Sequence, residues 1–445
     1  MTKASFAARR ADLIASVART DPRAPWRLAK ATSNLFRDRE AVAHVPLDLT
    51  MFDHVLAVGD GWVDAEGLVG YEQLADATLA HGTMPCVVPQ LKSITIGGAV
   101  AGVGIESSSF RHGLVHDTVL ELEVLTGDGR VVVATPDNEH RDLFLGFPNS
   151  YGTLGYALRV RGRTMPVKRF VHLRHAHHTE PARFFDDLAA ACEGSPDFVD
   201  GAVFGPGELV LSMGRFVDDA PFTSDYTYER IYYRSLRERD EDYLTCRDYL
   251  WRWDTDWFWC SKNVGAQHPF VRRMLGRKRL NSVFYARVMR WNSQVGATRL
   301  LDRLGGRQSE SVIQDVDIPV AHAEAFLQFL FDAIGILPIW ICPFRAPDRS
   351  RRWTLYPTDP AQLYVNFGFW DVVHAAGPTP PGHFNRLVER EVARLGGIKS
   401  LYSDSYYPRD EFDTAFGGPA YAALKARYDP AGRLPGLFDK CVQRR

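Results

Sequence analysis

The chain has 445 residues, 45% of them hydrophobic and 24% charged, a composition that excludes disordered and fibrous classes. At about 150 residues per domain, that length holds two to three domains. Lys+Arg 53 against Asp+Glu 54 leaves a net charge of -1, so the basic excess that nucleic-acid binding relies on is missing. The six cysteines, Cys86, Cys192, Cys246, Cys260, Cys342 and Cys441, form no C-x-x-C pair. That argues against structural zinc and fits reduced thiols. Residues 1–30 contain no apolar signal core, and the most apolar later stretch, 333–344, is interrupted by Pro338. It is too short and too broken to span a bilayer. The expected location is cytoplasmic, at most peripheral on the inner membrane face.

In chain order, Ala, Leu and Arg at helical spacing predict a helix over 8–34. Short strands follow at 43–47 and 54–59, then a helix over 70–81 with Tyr71, Leu74, Ala75 and Leu79 on one face. Two β-branched runs, 119–125 and 130–134, flank Thr126-Gly127-Asp128-Gly129 and read as a hairpin. After Pro166 the composition shifts toward His, aromatics and charge, which sets a boundary near 165. Beyond it, helices are predicted at 180–193, 320–334 and 383–395, a hairpin over 201–216, and strands at 312–319, 362–369 and 400–405. Gly396-Gly397 stops the third helix and sets a second boundary near 396.

Several common chemistries are absent: no phosphate-loop, nucleophile-elbow or zinc-helix motif occurs. His172, His175, His177 and His178 alternate as on a solvated strand, with no carboxylate or cysteine close by in sequence, so no metal is expected. The informative run lies between residues 85 and 155. Pro89 precedes Thr95-Ile96-Gly97-Gly98; then come Gly102, Gly104, Ile105, Glu106, Ser107, Ser108 and Ser109. Gly113 and Asp117 follow, and Gly152-Thr153-Leu154-Gly155 closes the segment. Glycines at these spacings let backbone approach a flat, extended ligand and present N–H groups to phosphates. Ser and Thr hydroxyls add neutral donors for the same oxygens. Glycines at the turns of a tightly packed domain would produce the same pattern, so spacing alone leaves both readings open.

Here the sequence resembles a known family. Thr95-Ile96-Gly97-Gly98 with Gly113 and Gly152-Thr153-Leu154-Gly155 resembles the FAD-binding domain of the vanillyl-alcohol oxidase (PCMH-type) superfamily. Gly104-Ile105-Glu106-Ser107-Ser108-Ser109 with Gly113-Leu114 is similar to the delta-24 sterol reductase family and its bacterial lipid-acting relatives. The likeness continues through Gln314-Asp315 with Pro319, through Leu337-Pro338-Ile339-Trp340-Ile341-Cys342-Pro343-Phe344, and through Leu363-Tyr364. It ends with Leu401-Tyr402-Ser403-Asp404-Ser405-Tyr406 and Glu411-Phe412, so it covers residue 83 to the C-terminus.

The resemblance implies an α+β fold with three parts. A two-part FAD-binding domain would span 1–165, divided at 82; a substrate (cap) domain on an antiparallel sheet with flanking helices would span 166–396. Residues 397–445 would return to the flavin site. It also implies that the residues named from Pro89 to Gly155 hold FAD. The FAD would be non-covalent, because Ile105 stands where some relatives tether the flavin through a histidine. No Gly-rich pyrophosphate loop is visible before residue 83, so the first subdomain reads as abbreviated.

The implied reaction adds or removes hydrogen across a carbon–carbon bond of a lipid, either a methyl-branched or methylene fatty acyl chain or a sterol side chain. Reduction would draw on NADPH or another electron donor, dehydrogenation on an acceptor. A polyprenyl-sugar or alcohol oxidase is the alternative enzyme, although Tyr402-Ser403-Asp404 stands where those sugar oxidases carry a lysine. A non-catalytic lipid-binding protein is the alternative outside enzymes. Trp251, Trp257, Trp259 and Trp340 either line a slot for a long apolar substrate or are simply core. Arg272, Arg273, Arg277, Lys278 and Arg279 are either a solvated basic face or a contact with anionic lipid. For proton transfer the candidates are Gln314, Asp315, Tyr402 and Asp404. Tyr402 is preferred, because a phenol donates in an apolar slot without stranding a charge. Asp315 is second, provided burial raises its pKa.

Overall fold

A computed structural model describes residues 5–29, 43–285, 287–288, 308–375 and 377–444. The first helix, Phe6–Ala18, starts at Ser5, whose hydroxyl accepts the Ala8 N–H. It is shorter than the expected 8–34, because Pro22 and Pro25 follow within two turns and neither can continue a helix. The chain instead enters a strand, Trp26–Ala29, paired in parallel with Val45–Asp48. The part of the predicted helix beyond residue 29 lies outside the described residues.

Two antiparallel sheets then organise the molecule, giving an α+β fold. The first runs Val55–Gly59, Trp62–Glu66, Tyr156–Pro166, Val119–Leu125, Val131–Ala134, with Thr83–Pro85 on the far end of Tyr156–Pro166. The predicted hairpin around Asp128-Gly129 is its edge. This sheet is complete by Pro166.

Among the described residues the second sheet has eight strands. From edge to edge they are Glu241–Thr245, Phe170–His178, Glu208–Val217, Phe198–Gly205, Ile339–Phe344, Tyr364–Ala375, Gln308–Pro319 and Ile398–Lys399. Alternation along its strands separates two faces. Ile339, Ile341, Val365, Phe367, Val312 and Val316 pack under the helices Pro181–Glu193, Ala323–Phe329 and His383–Arg394. Trp340, Cys342 and Tyr364 face the other way and share a core with Val103, Leu114 and Tyr151 of the first domain. Asp315 and Asp317 alternate onto this second face.

Two predicted elements change. The expected strand at 400–405 does not form: a two-residue strand, Ile398–Lys399, lies just before it, and the chain turns at 401–402. The sheet therefore extends past the boundary at 396. The helix expected at 320–334 is a short 3-10 turn, an α-helix and a π turn in succession, ended by Gly335 at φ 72°. Among the described residues no helix is long and apolar enough to cross a membrane.

Candidate active site

The short helix Ile96–Ala101 is capped by Thr95, whose hydroxyl accepts the Gly98 N–H at 3.2 Å. Ile96, Ala99 and Val100 are buried in the core. The opposite side shows backbone: Gly98 is exposed, and Ala101, Gly102, Gly104 and Ile105 are half-buried. Gly97 is required by a chain crossing. Its N–H donates to Gly67 O at 3.0 Å, and a Cβ would sit 2.8 Å from that oxygen. Tyr151, at φ 50°, seals the end of the ridge. Its N–H donates to Ala101 O and its hydroxyl to Gly102 O, both at 3.0 Å. A ridge without side chains, flanked by an apolar Ile105, fits a flat, non-covalently held isoalloxazine.

The other cradle candidates also make bonds within the protein. The hydroxyls expected to meet phosphate are bonded within the protein. Ser107 donates to Glu106 at 2.6 Å and meets Tyr249 OH at 2.8 Å; Ser108 donates to Cys86 O at 2.7 Å. Ser109 accepts the Glu106 N–H at 3.1 Å, and Thr153 donates to Ser150 O at 2.8 Å. Asp117 is buried under the Gly113 turn, accepting the Leu114 N–H and the Trp353 indole N–H at 2.9 Å each. Burial pushes its carboxyl up to about 6. Gly155 is small because a Cβ would meet Leu125 O at 2.5 Å, and a Cβ on Gly104 would meet Pro89 at 2.9 Å. Gly152 adopts φ 78°.

Glu106 belongs to a buried ionic knot between the domains. Arg252 reaches Glu106 at 3.2 Å and Asp200 at 2.8 Å, and the Trp340 indole N–H also donates to Asp200 at 3.3 Å. Gln90 donates to the other Glu106 oxygen. Burial raises the Glu106 carboxyl, and Arg252 opposes the shift. Sequence reasoning missed Arg252 and Asp200. The available signal was a lone cation inside a tryptophan-rich run.

The second sheet supplies ionisable groups on the face that shares a core with the first domain. Asp315 and Tyr402 are hydrogen-bonded to each other, and the Trp370 indole N–H donates to Tyr402 OH at 2.7 Å. All three side chains are half-buried. Asp315 Oδ1 is sealed from solvent without a hydrogen-bond partner. Burial, reinforced by nearby Asp317, pushes the Asp315 carboxyl from 3.8 up to about 8, against the lowering effect of Tyr402 and Trp370. Burial and the Asp315 charge raise the Tyr402 phenol well above its ordinary value. Gly368, directly opposite Asp315 in the ladder, makes the arrangement possible. A Cβ there would lie 2.7 Å from both Asp315 Oδ1 and the Trp370 ring. Neither Gly368 nor Trp370 was legible as a site residue. Tyr151 is close enough to add to the Tyr402 shift, which ties this group to the ridge.

The other two proton candidates lie elsewhere. Gln314 alternates onto the helix-covered face, where its amide meets Asn385 and the Ser403 hydroxyl. Asp404 lies 3.6 Å from Arg444, and its backbone oxygen accepts from Lys399 at 2.6 Å. Lys399 is fully buried against Glu389 on that same side. Of the tryptophans, Trp259 and Trp340 join Phe258 and Trp370 in a contiguous ring cluster beside Tyr402. Trp251 lies under Lys92, and Trp257 is buried in a left-handed turn. The rings are packed together, so the run 249–259 is core in the first place.

The basic run also divides. Arg272 is 3% exposed and forks onto Asp256 at 2.6 and 2.9 Å, which removes it from any surface contact. The histidines have local partners: His172 meets Glu241 at 2.6 Å and His175 meets Ser212 at 2.8 Å. Among the described residues one group, Asp53, His54 and Glu66, brings potential metal ligands together. Glu66 there already accepts from Arg9 and from His54.

The FAD binding domain family matches residues 6–135, so the match begins well before residue 83. The chain is an FAD-dependent oxidoreductase with a PCMH-type FAD-binding domain. Its relatives are delta(24)-sterol reductases. It is 29% identical to that of Rattus norvegicus over 403 residues, 85% of this chain and 73% of that protein. It is 26% identical to that of Arabidopsis thaliana over 459 residues, 94% of this chain and 80% of that protein. A shorter stretch of 147 residues, 32% of this chain and 28% of that protein, is 33% identical to cytokinin dehydrogenase 7 of Oryza sativa subsp. japonica.

Proposed function

We propose that the enzyme moves hydrogen across a carbon–carbon bond of a lipid, with a methyl-branched or methylene fatty acyl chain or a sterol side chain as substrate. The observation that carries this reading is the Asp315–Tyr402 pair, set among aromatic rings on the sheet face that shares a core with the FAD-binding domain. Bound FAD supplies the hydride chemistry. The chain must then supply or remove a proton at the neighbouring carbon, within hydrogen-bond reach of the reacting atom. At neutral pH Asp315 is largely protonated, so it stores a proton without placing a second charge beside Tyr402. Tyr402 presents the proton to the substrate and regains it from Asp315. Trp370 fixes the phenol oxygen, and Phe258, Trp259 and Trp340 exclude water from the lipid chain. NADPH or another electron donor would drive the reaction as a reduction.

The test is anaerobic. Enzyme reduced by NADPH, or by dithionite as a reference, is mixed with a sterol bearing an unsaturated side chain or with a phospholipid bearing an unsaturated acyl chain. Flavin absorbance reports the single turnover. Tyr402→Phe should keep its FAD and slow that turnover by ~10²-fold or more, the range of general acid–base groups. An unchanged rate in Tyr402→Phe would remove the assigned proton path.

A further inference from the structure

The helix Pro269–Leu275 starts at His268, whose ring nitrogen accepts the Phe270 N–H at 3.3 Å. Arg272 turns inward to Asp256, so the helix is anchored on that side. Phe270 and Met274, four residues apart and therefore neighbours on one face, are 66% and 68% exposed. They are the most exposed large hydrophobic side chains among the described residues. Two such groups in water are unfavourable unless something covers them.

The surrounding charge indicates what covers them. Residues 269–280 hold five cations and no carboxylate, in a chain whose net charge is -1. Arg277 is held by Asp225 at 2.9 Å and Thr227 at 2.8 Å. Arg273, Lys278 and Arg279 are exposed, and among the described residues their side chains have no ion-pair partner. Beside the helix opens a cavity of about 600 Å³ whose lining sets Arg230, Arg234, Arg239 and Arg273 against Glu229 and Glu238. An apolar pair ringed by unpaired cations matches the boundary between acyl chains and anionic headgroups.

We propose that residues 269–280 form a membrane-docking face that inserts Phe270 and Met274 into an anionic bilayer and sets Arg273, Lys278 and Arg279 against lipid phosphates. This stands on the surface alone and is independent of the chemistry assigned to Tyr402 and Asp315.

The test uses the FAD-loaded full chain and vesicles of phosphatidylcholine with or without phosphatidylglycerol. Partition should require the anionic lipid and be released by salt, because the attraction decays within about 3 Å at 1 M. Removing each cation should weaken it about fivefold, so Arg273→Gln/Lys278→Gln/Arg279→Gln loses roughly two orders of magnitude. Phe270→Ser/Met274→Ser should lose about tenfold or more. All these residues are exposed, and retained flavin absorbance confirms that each variant is folded. Equal partition of wild type and either variant would overturn the proposal, as would equal partition onto neutral vesicles. So would light scattering that shows the wild type self-associating through this face while Phe270→Ser/Met274→Ser is monomeric.

Discussion

The Asp315 carboxyl and the Tyr402 phenol owe their relation to a missing side chain. Gly368 leaves the space into which Asp315 Oδ1 and the Trp370 ring both fit. Gly368→Ala should therefore displace Asp315 while leaving the glycine ridge untouched. Its expected outcome is full FAD content with a single-turnover rate at least ~10²-fold down; an unaltered rate would show that Asp315 is not needed in that position. The raised Asp315 pKa also has a stability consequence. Folded Asp315 keeps its proton up to about pH 8, whereas the unfolded chain releases it near 3.8. The folded state therefore loses relative stability as pH rises through that window. Asp315→Asn should flatten the decline of Tm between about pH 4 and 8, and calorimetry at a series of pH values checks this. Tyr402 and Asp315 could be picked out in the sequence because polar residues stand out among apolar neighbours. Gln314 and Asp404 stood out equally. Only strand alternation and the turn after Lys399 separate the four, and both depend on register.

At the scale of elements, the C-terminal segment acts as a clasp. Lys425, on the helix Gly418–Tyr428, donates to Thr153 O at 3.0 Å and to Leu434 O at 2.8 Å; Lys440 donates to Tyr151 O at 2.5 Å. The bonds to Thr153 and Tyr151 grip the loop that closes the glycine ridge. Lys425→Met should cost about 1–3 kcal/mol, as buried acceptors lose their partner, and should weaken FAD binding measured by titration of the apoprotein. Retained affinity would mean that the loop holds its shape without the clasp. A C-terminal segment returning to the flavin domain was implied by family resemblance. The strand expected to carry it there was misplaced, because Leu401-Tyr402 reads as strand until the turn is seen. The N-terminal helix was overextended for a different reason: Ala, Leu and Arg persist beyond Pro22, and composition outweighed the breaker.

Across the whole molecule, the two sheets meet through a shared core and the Glu106–Arg252–Asp200 knot. Removing only the cation leaves two buried carboxylates uncompensated. Arg252→Met is therefore expected to destabilise the protein by about 3–5 kcal/mol. A shift of the urea midpoint worth less than about 1 kcal/mol would show that solvent reaches the pair. The FAD-binding fold was readable because glycine spacing and the hairpin are local signals. The knot joins residues nearly 150 positions apart and could not be read the same way. Delivery of the proton to a lipid carbon beside FAD by the Asp315–Tyr402 pair predicts a pH-dependent rate of flavin reoxidation. Chemically reduced enzyme is mixed anaerobically with the unsaturated lipid across a pH series, and flavin reoxidation is followed in wild type and Asp315→Asn. The wild-type rate should fall as pH rises through about 8, with that step absent and the rate low throughout in Asp315→Asn. The same rate and the same pH profile in both proteins would contradict it.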